Sequence, residues 1–388
     1  MNILYISEHY LPKISGTVTY VEKILENVII ADTQKNNNIT FIYPAEKDEV
    51  YLKDGVKMVA IKCECDILIF PAAYRYEFVE KINRYISENI NNIDLVHVLF
   101  GLFITEKLDL QLLKKHNIKS VVTVHNIPPQ ECSVSWKGDV FHRYLFDNFR
   151  KELVRIVNKR RLKKNLFDLY IVPSKPVADL LRKVLPIADI ETLGHGIDVK
   201  STFADTKENL SDKIKILTVG GFVPHKNQAI IPNIAKLLKQ NRLDFEWKIV
   251  GPVRNSRYVS FINDKIEKYN LSDSVKVYHD VDSTTLDMFY KNADIYVQPS
   301  LEEGFCITVL DAALYGLPIV GCYAGEISNI IEKTSGCLVK PNASIIAETI
   351  RNMAKSKNTV AKEMNRTDLL DTYNWQTVTN KLFTLYGK

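Results

Sequence analysis

Glu303-Gly-Phe-Cys-Ile-Thr-Val-Leu-Asp311, continued by Ala-Ala-Leu-Tyr-Gly-Leu-Pro318, places two carboxylates eight positions apart across a glycine turn and the start of an apolar helix. On a helix, Thr308, Asp311 and Tyr315 share a face, while Glu303 precedes or begins the first turn. The two acids therefore do not sit side by side on one helix face. They bracket a helix N-terminus, where unpaired backbone N–H groups attract an anion. Asp294-Ile-Tyr-Val-Gln-Pro-Ser300 immediately upstream reads as a strand, so the context is strand, loop, helix. Taken alone, the segment is also compatible with an ordinary strand–turn–helix that happens to have an acidic first turn.

The same alternation of short apolar runs and helix-length segments extends in both directions, which is the pattern of parallel sheets covered by helices. In the first half the candidate strands are Ile3–Ser7, Ile39–Tyr43, Val56–Ile61, Leu95–Val98, Ser120–Val124 and Leu169–Val172. A second series comprises Ile214–Val219, Glu246–Val250, Val275–Tyr278, Ile295–Gln298, Pro318–Gly321 and Gly336–Val339, interleaved with helices such as Asn227–Lys239 and Ile307–Tyr315. Leu193-Gly-His-Gly-Ile-Asp198 and the polar stretch to Lys213 lack periodicity and supply the linker. The expected organisation is an N-terminal Rossmann-like domain over 1–192, a linker over 193–213, a C-terminal Rossmann-like domain over 214–370 and a final segment over 371–388. In that final segment Trp375, Val378, Leu382 and Leu385 fall on one side at helical spacing, so it must dock.

With 388 residues, 46% hydrophobic and 25% charged, the chain is a two-domain globular protein. Its six cysteines lack any C-x-x-C pairing, which points to neither a zinc site nor a disulfide framework and fits a reducing cytoplasm. Met1-Asn-Ile-Leu-Tyr-Ile-Ser7 reads as a buried strand with none of the marks of a signal peptide. No stretch reaches the roughly 20 apolar residues needed to span a bilayer. A net charge of +5 is too small to argue for nucleic acid.

Several loops carry residues suited to chemistry. Gly16, between the first strand and a helix, permits close backbone approach to a ligand, although a structural turn explains it equally well. The G-x-G-x-x-G of a dinucleotide fold is absent. His125 follows the strand Val121–Val124 at the edge where open α/β sheets bind ligands; a lone histidine there is more often structural. Gly220-Gly-Phe-Val-Pro-His-Lys226 leads into another helix, and a lysine there opposes the helix dipole unless an anion binds.

Together these residues resemble the family 4 retaining glycosyltransferases. The segment Glu303 to Asp311 is similar to their E-x7-E donor-sugar motif, with Asp311 replacing the second glutamate. The Gly16 loop, His125, Ser174, His195-Gly-Ile-Asp198, Lys226 and the block from Ala293 to Val339 extend the likeness over nearly the whole chain. The resemblance implies a GT-B fold of two facing Rossmann-like α/β domains, with a C-terminal helix crossing back to the first. It also implies transfer of a sugar, with retention, from a UDP- or GDP-linked donor to a saccharide or lipid-linked saccharide, in bacterial surface polysaccharide or glycoconjugate synthesis. Metal and cofactor would not be required.

Carried over residue by residue, the catalytic set is Lys226, Glu303 and His125. The donor set is Gly16, Gly221, Arg254, His279, Asp280, Val281, Gly304, Phe305, Cys306, Ile307 and Asp311. Glu303 would hold the donor sugar, Asp311 the ribose, the backbone at His279–Val281 the base, and Lys226 the departing diphosphate. One departure matters. Family members commonly carry an arginine where this chain has Gly221, and loss of one preorganised donor to a developing oxyanion costs about 2.7–4 kcal/mol. Arg254, at the end of the next strand, could supply that charge. The alternatives are a catalytically weakened partner or binding subunit, for which Gly221 and Asp311 speak, and a nucleotide-sugar epimerase of the same fold.

Between Arg143 and Lys164 nine basic residues face two acids, interleaved with apolar positions at near-helical spacing. A solvated outer face is the commoner explanation of such a helix. Attraction to an anionic membrane is the alternative, at about 1 kcal/mol per basic residue. The acceptor or membrane surface is assigned to Trp136, Arg155, Lys159, Arg160 and Lys163, which places the protein in the cytoplasm, peripheral on the inner face of its membrane.

Overall fold

Each apolar run forms a strand because it can be buried on both faces between helices. The structure, a computed structural model, describes residues 1–8, 16–32, 37–63, 71–125, 149, 153, 156–157, 159–164, 166–198, 213–334, 336–355 and 366–387. It divides into two units. The first holds the described residues of Met1–Pro128, Leu153–Asp198 and Tyr373–Lys388; the second holds those of Pro129–Glu152 and Val199–Thr372.

In the first unit the strands are β1 (Asn2–Ser7), β2 (Asn38–Ala45), β3 (Glu49–Lys53), β4 (Val56–Lys62), β5 (Leu95–Phe100), β6 (Lys119–Thr123), β7 (Leu169–Val172) and β8 (Ile190–Thr192). They form one sheet in the order β3-β4-β2-β1-β5-β6-β7-β8. All neighbours are parallel except β3 and β4. Side chains alternate across this sheet. Leu4 and Ile6 join one core with Phe78, Ile82 and Leu181. Ile3 and Tyr5 join the other, with Val21, Ile24, Trp375 and Leu382.

That second core explains the final segment. The helix Trp375–Gly387 lies against helix α1 (Gly16–Ala31), and Trp375, Val378, Leu382, Leu385 and Tyr386 are buried. Asn374 caps it by accepting from the Thr377 N–H at 2.7 Å. Lys119 Nζ donates to the carbonyls of Leu385 and Tyr386, both at 3.1 Å, at the end where the helix dipole favours a cation. Tyr386 Oη donates to Tyr5 Oη at 3.0 Å and lies 2.6 Å from His97 Nδ1. Gly196 admits the indole, since a Cβ there would lie 2.2 Å from Trp375 Cδ2.

In the second unit β9 (Ile214–Val219), β10 (Phe245–Val250), β11 (Val275–Tyr278), β12 (Ile295–Gln298), β13 (Ile319–Cys322) and β14 (Gly336–Val339) form a parallel sheet in the order β11-β10-β9-β12-β13-β14. The chain runs outward from β9 to β11, then returns to β9's other side at β12. Trp247, Ile216 and Val297 of these strands pack with Ile231, Ile234 and Leu238 of one covering helix and Ile346 and Ile350 of another.

Two strands escaped the sequence reading, β3 and β8. The signal for β3 was present: Asp54 and Gly55 have φ of 51° and 88° and close a two-residue hairpin onto β4. The helix expected from Asn227 begins later. Asn227 is left-handed at φ 57°, flanked by single 3-10 turns, and the α-helix runs Ile231–Gln240.

Candidate functional site

In open parallel sheets ligands bind beyond the strand C-termini where the strand order reverses. In the second unit that point lies between β9 and β12, and the loops leaving these two strands carry Lys226 and Glu303. Hydrogen bonds stitch the loops together: the Leu301 N–H donates to the His225 carbonyl at 2.8 Å, and Asn227 Nδ2 donates to the Pro299 carbonyl at 3.1 Å.

Lys226 Nζ donates to both oxygens of Glu303, at 2.7 and 2.6 Å. Ser300 Oγ donates to Glu303 Oε1 at 2.7 Å and accepts from Gln298 Nε2 at 2.7 Å. Glu303 is 8% exposed. Burial by itself would raise its pKa, but the Lys226 ammonium and the Ser300 hydroxyl outweigh burial and hold the carboxyl below its ordinary value. For Lys226 burial acts downward, yet the Glu303 charge leaves the ammonium's pKa raised. The pair is ionised at neutral pH.

The loop beyond Glu303 is equally constrained. Cys306 takes a left-handed conformation, φ 85°, before the helix Ile307–Leu314. Burial, reinforced by the Glu303 charge, pushes its thiol pKa up, so it is no nucleophile. Gly304, Ile307 and Asp311 are half-buried, whereas Phe305 is buried. Gly325 backs the loop at φ +53°; a Cβ there would lie 2.8 Å from Glu303 Cβ and 3.0 Å from the Phe305 carbonyl.

Gly220 and Gly221 leave β9 beneath two cationic stems. A Cβ on Gly220 would lie 3.8 Å from Lys226 Cδ, and one on Gly221 would lie 3.5 Å from Arg254 Cγ. Phe222 ties this turn to the Arg254 loop, donating its N–H to the Pro252 carbonyl at 3.0 Å and bridging Val253. Its ring also meets His279 edge-on at 5.3 Å. His279 and Asp280 are exposed, Asp280 at φ 50°, and Val281 is half-buried. The structure thus gathers Gly221, Lys226, Arg254 and His279 about one turn.

Sequence reasoning missed the supports: Gln298, Ser300, Gly325 and Gln228. Buried Gln228 donates to the Gly220 and Gly221 carbonyls at 3.2 and 2.9 Å, fixing the turn. Gln298 and Ser300 were visible as polar residues closing an apolar strand, the position at which such a sheet presents side chains to a ligand.

Gly16 and His125 belong to the first unit. Gly16 opens α1. His125 Nε2 donates to the Leu99 carbonyl at 2.9 Å, and the ring packs against Tyr20 at 4.6 Å and His195 at 5.8 Å. Burial outweighs that bond and lowers the His125 pKa to about 4, so the ring is neutral. Glu8, which no motif pointed to, is 5% exposed just past the end of β1, beside Gly101.

Of the surface residues, Arg160 and Lys163 are exposed and Lys159 is half-buried, while Trp136 and Arg155 lie outside the described residues. Leu162 on the same helix is buried in the first unit's core, and Arg161 Nε pairs with Glu106 at 2.9 Å. Leu153, Ile156 and Val157 are 43–48% exposed. No described helix is long and apolar enough to cross a membrane.

The fold defines a GT-B protein, two Rossmann-like α/β units, with the loops of Lys226 and Glu303 meeting at the strand-order reversal of the second. The models for "Glycosyl transferases group 1" and "Glycosyltransferase Family 4" match residues 200–367 and 21–201. The chain belongs to the family 4 glycosyltransferases. It is 30% identical over 350 residues to a 41.2 kDa protein in the cps region of Klebsiella pneumoniae, covering 87% of this chain and 86% of that one. With the alpha-monoglucosyldiacylglycerol synthase of Acholeplasma laidlawii it shares 22% identity over 369 residues, 90% of this chain and 87% of the other. Protein CapJ of Staphylococcus aureus is 29% identical over 171 residues, a match spanning 39% of this chain and 41% of CapJ. Among solved structures, the sucrose-phosphate synthase of Thermosynechococcus elongatus superposes with a TM-score of 0.75 at 19% identity, covering 99% and 98% of the two chains. Anabaena HepE in complex with UDP and glucose gives 0.68 at 13% identity, covering 100% and 99%.

Proposed function

We propose that this glycosyltransferase moves a sugar, with retention of anomeric configuration, from a UDP- or GDP-linked donor to a saccharide or lipid-linked saccharide of a bacterial surface polymer. The observation that carries this reading is the ionised Lys226–Glu303 pair on stitched loops at the strand-order reversal of the second unit. A carboxylate and an ammonium so placed can take the hydroxyls of a sugar and the phosphate oxygens that leave it. When a diphosphate arrives, Lys226 exchanges one anionic partner for another, and Glu303, still held by Ser300, turns its lone pairs to sugar hydroxyls. Asp311, one methylene shorter than glutamate, reaches for the ribose from the helix face. His279, Asp280 and Val281 receive the base.

Gly221 leaves the turn without the expected arginine, and Arg254 compensates. Support comes from the position of its stem, against which any side chain at 221 would start. Leaving-group charge is then met by Lys226 and Arg254, with no resident metal in the scheme. In the first unit His125 positions the backbone at Leu99 and presents Nδ1 as an acceptor. The exposed side chains of Leu153, Ile156, Val157, Arg160 and Lys163 support peripheral attachment to an anionic cytoplasmic membrane, where a lipid-linked acceptor resides.

The test is incubation of the protein with UDP-, GDP- and ADP-sugars, following nucleotide release and the anomeric configuration of any product by NMR. Slow nucleotide release from one donor class, lost in Lys226→Met, is expected. Isomerised donor would make the protein an epimerase, and binding without turnover a partner subunit. Arg254→Ala should lower kcat/KM about 100-fold, and unchanged turnover and nucleotide affinity would remove Arg254 from the site.

A further inference from the structure

Strand β3 lies at the edge of the first sheet, with β4 on one side and no strand on the other among the described residues. It is exposed along its length: Val50 at 61%, Tyr51 at 36% and Leu52 at 75%. Edge strands with exposed apolar side chains template pairing with another chain, and natural proteins usually shorten, charge or cover them.

The hairpin decides which backbone groups face outward. A two-residue loop closes on a hydrogen-bonded pair, here Lys53 and Val56, and such pairs recur at every second residue. Lys53, Tyr51 and Glu49 therefore spend their backbone groups on β4, while Val50 and Leu52 aim theirs away from it. The side chains have a matching symmetry. Glu49-Val-Tyr-Leu-Lys53 laid antiparallel on a second copy about Tyr51 sets Glu49 opposite Lys53, Val50 opposite Leu52 and Tyr51 opposite itself.

Backbone and side chains ask for the same register. Val50 and Leu52, the residues with outward groups, become hydrogen-bonded partners, and the two Tyr51 residues meet at a non-hydrogen-bonded position. A slip of one residue turns spent backbone groups toward the partner, and a slip of two separates Glu49 from Lys53. Glu49 has a neighbour within its own chain, Lys47 at 3.0 Å, but both side chains are open to water. An exposed pair contributes little, so exchanging it for Lys53 of the second copy costs little.

We propose that β3 pairs with β3 of a second copy of this chain, joining two first-unit sheets into one continuous sheet about a two-fold axis. Its occupant is fixed by self-complementarity, since each strand supplies the acid, the base and the apolar pair that the other requires. A contact resting on one short strand lies at the weak end of protein interfaces, with a dissociation constant on the order of 10 μM.

Sedimentation equilibrium of the full chain between about 1 and 200 μM tests this. A reversible monomer–dimer equilibrium is expected. Val50→Lys combined with Leu52→Lys should remain monomeric throughout, with an unchanged far-UV circular dichroism spectrum, because neither side chain is buried. Glu49→Lys should weaken the dimer about tenfold by opposing like charges twice, and adding Lys53→Glu should restore it. A wild-type chain that stays monomeric over the whole range overturns the proposal. So does a dimer indifferent to the paired lysines, or one that the double charge reversal fails to restore.

Discussion

Replacing Lys226 by methionine keeps the stem as far as Cε, removes the ammonium and strands the Glu303 carboxylate. In the native protein the two side chains are only 21% and 6% exposed, and both carboxylate oxygens accept from the ammonium. Breaking a buried pair from one side costs about 3–5 kcal/mol, because the surviving charge keeps its desolvation penalty without its partner. Ser300 remains as a donor, so the expected loss near pH 8 is about 3 kcal/mol. The pH dependence is more diagnostic than the magnitude. In the wild type the Glu303 pKa lies below its unfolded value; its contribution is complete above that value and is lost as pH falls through the native pKa. In Lys226→Met burial, the largest influence, outweighs the remaining Ser300 hydrogen bond and the native pKa rises above the unfolded one. The variant then takes up a proton on folding and gains stability as pH falls. The gap between the two proteins should narrow steadily from pH 8 to 5. Urea denaturation followed by circular dichroism and by tryptophan fluorescence measures it, Trp247 reporting from the core of the second unit. Glu303→Gln and the double variant complete the cycle, with a coupling of about 2 kcal/mol expected. A gap below about 0.5 kcal/mol at pH 8, or one that widens on acidification, would refute the reasoning.

Other sites give sharp expectations. Gly325→Ala forces a Cβ to within 2.8 Å of Glu303 Cβ at a left-handed backbone position, so it should cost about 1–3 kcal/mol and lower turnover more than donor affinity; thermal denaturation and steady-state kinetics check both. Trp375→Ala empties the pocket over Gly196 and should destabilise the first unit by about 3–5 kcal/mol, exposing the C-terminal helix to early amide exchange. Burial lowers the pKa of His97 and His195 to about 3 and of His125 to about 4. The native state thus binds fewer protons than the unfolded chain below about pH 6.5, and first-unit stability should fall between pH 6.5 and 4, His125 alone accounting for about 3 kcal/mol. Denaturation curves over that range, with His125→Phe flattening the slope, provide the check.

The parallel strands were legible because burial on both faces writes continuous apolar runs into the sequence. β3 was missed because its apolar run is only Val50-Tyr51-Leu52 between charged residues, and its clearest mark, the Asp54-Gly55 turn, lies outside the strand. The acids and Lys226 could be read from their loops, and so could the strand ends that carry them. Their mutual bonding could not: Lys226 and Glu303 are 77 positions apart, and only the reversal of strand order between β9 and β12 brings their loops together. Gly325 was illegible for a related reason, since a glycine reveals its purpose only through the atoms that would collide with a Cβ. His125 stood out by type and position, whereas its bond to the Leu99 carbonyl depends on how β5 and β6 lie side by side.

The placement of Trp375–Gly387 in the core of the first unit also sets an order of assembly. As the chain leaves the ribosome, Met1–Pro128 and Leu153–Asp198 emerge with one side of their sheet still lacking the Trp375, Leu382 and Leu385 side chains that close it. The second unit's sheet, drawn from the continuous stretch Ile214–Val339, can form in the meantime. The unit that begins first is therefore completed last, and until then an apolar surface centred on Tyr5 and Tyr20 stays open to chaperones or to other nascent chains.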